Sequence, residues 1–193
     1  IESKSLKLYF NSFNNSKIKN YAELENIIQK DLSERINAEV WVKIHSLLDC
    51  RHATVYHTMD GECLDELDVE CSIYMVEPTF LSVENTLVEE VLYSDLLKSN
   101  CLVTNQPDWG SVQIAYKGKK INREGLLKYL ISFRNHNEFH EQCVERIYMD
   151  LWRLCMPKLL TVYACYTRRG GLDIAPFRTN SQVIPENSRF SRR

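Results

Sequence analysis

Cys101 and Asp108 are the first pair in this chain whose types and spacing suggest chemistry. The thiol lies in Lys98-Ser99-Asn100-Cys101, and a carboxylate follows seven positions later in Pro107-Asp108-Trp109-Gly110. A thiolate is a strong nucleophile, and a nearby cation such as Lys98 would favour it. A carboxyl group desolvated beside Trp109 could deliver a proton near neutral pH. The pair would then act on one small electrophile. Each residue also has a plain structural reading. Lone cysteines often serve as small buried hydrophobes, and Pro-Asp-Trp-Gly suits a β-turn.

Three further runs carry candidate groups. In Asn137-Glu138-Phe139-His140-Glu141-Gln142-Cys143, His140 and Glu141 fall in the first turn of an expected helix capped by Asn137. A carboxylate is favoured there by the free N–H groups. It could equally accept two donors along the edge of a purine-like ring, with His140 orienting the ligand or relaying a proton. At the start of the chain, Glu2 could bind such an edge, and Ser3 with Lys4 could hold a phosphate. The alternative is an edge strand whose lysines block aggregation. Arg168-Arg169-Gly170-Gly171 offers guanidinium forks for phosphate and glycines for close backbone approach, or simply a solvated strand end. The chain has no Gly-x-Gly-x-x-Gly or Walker pattern, which argues against a Rossmann or P-loop nucleotide site.

The elements that must position these groups read as α+β. Leu6, Leu8 and Phe10 alternate with polar neighbours and predict a strand over 4–10. Asn20 with Glu23 reads as a capping box for an amphipathic helix over 21–35. Val40, Val42 and Ile44 predict another strand, and a further one is expected over 69–80. The polar stretch 50–68 holds an Asp60-Gly61 turn signal. A strand-rich stretch runs from 89 to 117 with the Pro107–Gly110 turn inside it. Helices are expected over 123–135 and 138–155, the second burying Phe139, Cys143, Ile147, Leu151 and Leu154 and ending before Pro157. Leu160, Val162 and Ala164 alternate in a last long strand, and 179–193 reads as a loose tail. Two related modules follow, each an antiparallel sheet with helices on one face.

Bulk properties narrow the class. With 193 residues, 44% hydrophobic and 26% charged, the chain can bury a real core. A formal net charge of −2 gives no footprint for general nucleic-acid or membrane-surface binding. No apolar run reaches the ~20 residues of a membrane span, and no signal peptide is visible. Seven cysteines without paired short spacings fit a reducing cytoplasm. The chain opens on Ile1 rather than Met, which suggests that the front of a longer protein is absent.

Taken together, Glu2-Ser3-Lys4-Ser5-Leu6-Lys7-Leu8-Tyr9, Ser99-Asn100-Cys101 through Pro107-Asp108-Trp109, Phe139-His140-Glu141 and Tyr166-Thr167-Arg168-Arg169-Gly170-Gly171 resemble the QueF family, in the order found in its longer, two-module members. These are NADPH-dependent 7-cyano-7-deazaguanine reductases, nitrile reductases of queuosine biosynthesis. The resemblance implies tandem tunnelling-fold modules, with 1–85 the remainder of the first and 86–193 the second. It implies a homodimer with a small-molecule substrate, no metal and no nucleic-acid or membrane partner. It makes Cys101 the nucleophile that forms a covalent thioimide and Asp108 the proton donor, assisted by His140. Ile1, Glu2, Ser3, His140 and Glu141 would bind the deazaguanine. Ser3, Lys4, Arg169 and Gly170 would contact NADPH. A reversible disulfide between Cys101 and Cys143 is a further expectation. Two rivals stand beside this reading: a zinc hydrolase recruiting Cys50, His52 and Cys63, and a deazaguanine-binding protein without catalysis.

Overall fold

The computed structural model describes all residues except 47, 49–53 and 193. The chain forms two compact units, Ile1–Thr54 and Val55–Arg193. The mixture of helices with a mainly antiparallel sheet is the α+β class expected from sequence, and it is developed in the second unit.

The first unit holds two helices, α1 (Ser3–Asn11) and α2 (Tyr21–Ile36). The expected strand over 4–10 is therefore a helix. Glu2 explains it, because its carboxylate accepts from the Lys4 and Ser5 amides at 2.9 and 3.0 Å, satisfying first-turn donors that a helix leaves open. The alternation of Leu6, Leu8 and Phe10 was too short to outweigh that cap. α2 matches its expected span. Asn20 accepts from the Glu23 amide, while Glu23 reaches back to the Lys19 amide rather than closing the box on Asn20. Asn37, at φ 52°, ends α2 in the left-handed region. The second expected strand, around 40–44, does not form; the Ile44 amide there donates to Glu25 instead of to a strand neighbour.

The second unit is built on a five-stranded sheet. Its strands are β2 (Glu62–Cys63), β3 (Val83–Asn100), β4 (Pro107–Ile121), β5 (Leu159–Tyr166) and β6 (Phe177–Thr179), in that spatial order. Short β2 runs parallel to β3, and the other neighbours are antiparallel. Helices α3 (Arg123–Ile131) and α4 (His140–Cys155) pack on one face, joined by a 3₁₀ turn over Ser132–Asn135. Leu126, Leu127 and Leu130 from α3 and Cys143, Ile147 and Leu151 from α4 meet Val112, Ile114, Leu160 and Val162 of the sheet in one apolar core. Each fully buried aliphatic side chain contributes roughly 1.5–3 kcal/mol. Leu154, expected to face inward on α4, is exposed instead, and Val144 and Tyr148 extend the buried stripe.

The opposite face of the sheet carries a smaller cluster of Met59, Tyr93, Tyr163 and Cys165. The tail that read as loose contributes here. Its β7 (Arg189–Phe190) pairs in parallel with β1 (Val55–Tyr56), and Phe190 packs on the cluster. The strand expected over 69–80 is absent; that stretch is irregular and ends in a 3₁₀ turn at Pro78–Phe80, where the proline favours a turn over a ladder.

Candidate active site

β3 and β4 form the hairpin on which the site is built. Asn100 pairs with Pro107, so the connection is Cys101–Gln106. Its first amide, of Cys101, donates to the Gln106 carbonyl at 2.8 Å, and the Asn105 amide donates back to the Cys101 carbonyl at 2.9 Å. Asn105 takes φ 55°, a conformation asparagine tolerates well. Cys101 thus opens a tight loop and is partly exposed.

The turn expected at Pro107–Gly110 is in fact the first stretch of β4. This changes what surrounds Asp108. Side chains alternate across a strand, so Asp108 shares a face with Val112 and Ile114, while exposed Trp109 points to the other face. Trp109 therefore does not desolvate the acid. His140 of α4 and Arg169, just beyond β5, lie against the carboxylate, and Asp108 is only 3% exposed.

Two groups hold the Asp108 carboxylate. Arg169 Nη1 donates to Oδ1 at 2.6 Å, and His140 Nε2 lies 3.2 Å from Oδ2. The histidine nitrogen is buried and off the line of a good hydrogen bond to that oxygen. Its ring is fixed from below. It stacks on Tyr166 with centroids 3.9 Å apart and planes 18° from parallel. Tyr166 ends β5 opposite Gly110 of β4, and a Cβ on Gly110 would come within 3.1 Å of the tyrosine ring. Glycine is what lets this ring lie against the strand.

His140 reaches the sheet because the segment before α4 is laced to the end of β3. The Asn100 amide donates to the His136 carbonyl at 2.8 Å, and the Glu138 amide donates to the Asn100 carbonyl at 3.1 Å. Asn137 binds Asn105 and Asn100 through its side chain. It is thus a strut of the hairpin rather than the cap of α4, whose N-cap position is Phe139. Lys98 is also committed, its ammonium bonding Asn100 Oδ1 and the Arg134 carbonyl.

Beneath the stack lies a buried polar cluster. The Tyr166 and Ser99 hydroxyls are enclosed without a hydrogen bond of good geometry, beside the Cys143 thiol. Burial pushes that thiol up to about 11, against the pull of Ser99, so Cys143 stays protonated at neutral pH. Burial likewise drives the Tyr166 phenol well above its ordinary value. His136, Glu138 and Cys143 have ligand atoms within 4.8 Å of one another. Glu138 is already saturated by a two-bond contact with Arg146 and by His136 at 2.6 Å, and the guanidinium opposes a cation there. Of the expected zinc set, Cys50 and His52 lie outside the described residues, and Cys63 sits on β2 beside Tyr93.

The other expected groups are distributed as follows. Glu141 is exposed on the first turn of α4. Gly170 and Gly171, at φ 56° and 80°, make the turn closed by the Arg169–Leu172 bridge, and a Cβ on Gly171 would meet open space. Arg168 is turned away from the site, in a two-bond ion pair with Asp173. In the first unit, Ile1 is exposed and Glu2 to Lys4 form the start of α1. The backbone bonds of Lys4 lead the effects holding Glu2 below its usual range, and its Oε1 is the less engaged oxygen. Gln106, Ser99 and Tyr166 were not anticipated as site residues. Only Tyr166 left a signal, since continuing the alternation Leu160, Val162, Ala164 places it on the inner face.

Comparison with known proteins adds an independent line. A family model described as nitrile reductase, 7-cyano-7-deazaguanine-reductase N-term, matches residues 1–44, and one described as QueF-like protein matches residues 107–184. Asp108, His140, Glu141, Arg169 and Gly170 fall within these ranges, as do Ile1 to Lys4; Cys101 falls between them. Among curated proteins, an NADPH-dependent 7-cyano-7-deazaguanine reductase of Legionella pneumophila strain Corby is 68% identical over 93% of this chain and 63% of its own length. The protein of the same description from strain Lens is 65% identical over 95% of this chain and 65% of its own. The chain thus spans a little under two thirds of these relatives. Among solved structures, the apo form of the archaeosine synthase QueF-Like aligns with 53% of this chain and 99% of its own at 17% identity, with a TM-score of 0.44. Matched at its front by one of these models and over 107–184 by the other, and about two-thirds identical to curated reductases over nearly all its length, this chain is similar to QueF proteins.

Proposed function

We propose that this chain carries the catalytic part of an NADPH-dependent reductase that converts the nitrile of 7-cyano-7-deazaguanine to the aminomethyl group. The carrying observation is the buried Asp108 carboxylate, held between Arg169 and His140 just past the hairpin that begins at Cys101. A buried acid is costly on a strand unless it is paired, and paired, deeply enclosed acids beside a histidine concentrate at functional sites.

In this reading the Cys101 sulfur bonds to the nitrile carbon while one C≡N π bond opens. The Asp108 carboxylate takes the thiol proton and hands it to the nitrogen, so that one proton moves from sulfur to nitrogen as the C–S bond forms. Nucleophilic addition divides one hard reduction into easier steps. His140, fixed on Tyr166, orients the substrate beside the acid. The Glu141 carboxylate would accept N–H donors along the heterocycle edge; Ile1, Glu2 and Ser3, in the first unit, keep the ligand-binding role that the resemblance implies. For the cofactor, Arg169 supplies cationic charge and Gly170, at φ 56°, a turn backbone that phosphate can approach; Ser3 and Lys4, in the first unit, keep the cofactor role that the resemblance implies. Two molecules of NADPH, bound in turn, would each supply one hydride, the chemistry that a four-electron reduction of a nitrile to an amine requires. After the first of these the C–S bond breaks, and the site has to retain the imine.

Three accompanying readings belong to the same proposal. Residues 1–85 and 86–193 derive from two tunnelling-fold modules, the working form is a homodimer, and the protein acts in the cytoplasm. Among the described residues, no helix is long and apolar enough to cross a membrane.

Incubation with the nitrile, followed by intact mass measurement, tests the chemistry. The protein should gain the mass of one substrate molecule, and Cys101→Ala should gain none and lose turnover. An adduct in that variant would refute the nucleophile. Substrate binding with no adduct and no loss of nicotinamide absorbance would support the non-catalytic alternative.

A further inference from the structure

Arg169 makes contacts that a cofactor-binding residue does not need. One guanidinium nitrogen donates to Asp108 Oδ1 at 2.6 Å, and the other donates to Gln106 Oε1 at 2.8 Å. Gln106 is the last residue of the hairpin connection, and its carbonyl receives the Cys101 amide at 2.8 Å. One planar cation therefore bridges the acid and the closing residue of the loop that begins at the nucleophile. The neighbouring Arg168 does nothing of the kind, being paired with Asp173 within its own turn. The side chain of Arg169 is about one-third exposed, so its charge is partly screened, but its geometry is not. A rigid fork fixes the separation of two partners in a way a lysine ammonium, with its compact charge, does not.

We infer that Arg169 is a positioning residue for the first bond-forming step, in which no cofactor takes part. It sets Asp108 at a fixed distance from the Cys101 loop, so that sulfur addition and nitrogen protonation occur in one geometry. This rests on the reductase reading above and goes beyond the expected phosphate contact. A residue that only held cofactor would leave a cofactor-free step untouched. Small misplacements of reacting groups are costly, with 1 Å worth up to about 100-fold in rate.

The test is the rate of covalent adduct formation with 7-cyano-7-deazaguanine in the absence of any nicotinamide, followed by quenched intact mass spectrometry of the purified protein. Arg169→Lys and Arg169→Gln should slow the adduct by roughly 10- to 100-fold with substrate affinity within about threefold of the parent. Gln106→Ala, a change at an exposed loop position, should slow it several-fold. Combined with Arg169→Gln, it should add less than its separate effect, because the two share one fork. Arg169 variants that form adduct at the parental rate, with only a raised KM for NADPH, would overturn the inference. So would a fully additive double variant. If an Arg169 variant fails to fold, Gln106→Ala decides alone, and a parental rate there counts against the inference. Absence of adduct in the parent protein would instead reject the underlying reductase reading.

Discussion

Replacing Asp108 by asparagine separates the chemistry of this carboxylate from its contribution to the fold. Asparagine keeps the shape and one acceptor oxygen, so the Arg169 contact can persist as a hydrogen bond to a neutral group. What is lost is the charge. Hydrogen bonds to charged groups are worth about 1.5–3 kcal/mol, against about 1 for neutral ones, and partial exposure of Arg169 screens the difference. The expected loss of stability is therefore about 1 kcal/mol. Loss of a positioned proton donor costs on the order of 10²- to 10⁴-fold in rate, or about 2.7–5.5 kcal/mol of barrier. The kinetic effect exceeds the structural one by more than a factor of two, and the protein should remain folded while turnover collapses. Nicotinamide absorbance at saturating substrate gives the rate, equilibrium binding gives substrate affinity, and denaturant unfolding gives stability. Turnover within about threefold of the parent, with affinity unchanged, would return Asp108 to a structural role.

Two other perturbations probe the support beneath the site. Tyr166→Phe removes a hydroxyl that has no good hydrogen bond, so stability should move by no more than about 1 kcal/mol and turnover should hold. Tyr166→Leu removes the ring under His140 and should cost about 2–3 kcal/mol by denaturant unfolding as well as lowering kcat; equal behaviour of the two variants would show that the stack does not matter. At Glu138, burial opposes ionisation, but the bonds from Arg146 and His136 prevail and hold the carboxyl below the ordinary 4.5. A folded-state value lower than the unfolded one adds stability that is fully present above 4.5 and is lost as acid protonates the group. The stability gap between the parent and Glu138→Gln should therefore be largest near neutrality and shrink on acidification to about pH 3. A gap that stays constant with pH would mean the ionised form contributes nothing.

The helices were the most legible part of the chain. α2, α3 and α4 carry long apolar periods and clear stops, and their positions follow from residues such as Asn20 and Pro157. The errors arose where two local rules compete. Leu6, Leu8 and Phe10 fit a strand, yet Leu6 and Phe10 also lie four apart on a helix, and the Glu2 cap decides between them. Pro107-Asp108-Trp109-Gly110 has the residues of a turn, but the reversal occurs earlier, at Asn105, and Gly110 is spent on making room for Tyr166. The candidate groups themselves were identifiable by type. Their arrangement was not, because the Arg169–Asp108 pair spans 61 positions and leaves no local pattern. The same holds for Gln106, whose importance comes only from its partner.

The pairing of Asp108 with Ser99 has an evolutionary consequence. Whether the acid faces the histidine or the far side depends on parity, since a slip of one residue along β4 would exchange Asp108 for Trp109. A single-residue insertion between Asp108 and Val112, taken up as a bulge, would turn the acid to the far face while leaving Val112 and Ile114 in the core. The hairpin connection is no safer a place for length variation, because it opens on Cys101 and closes on Gln106, which Arg169 ties to the acid.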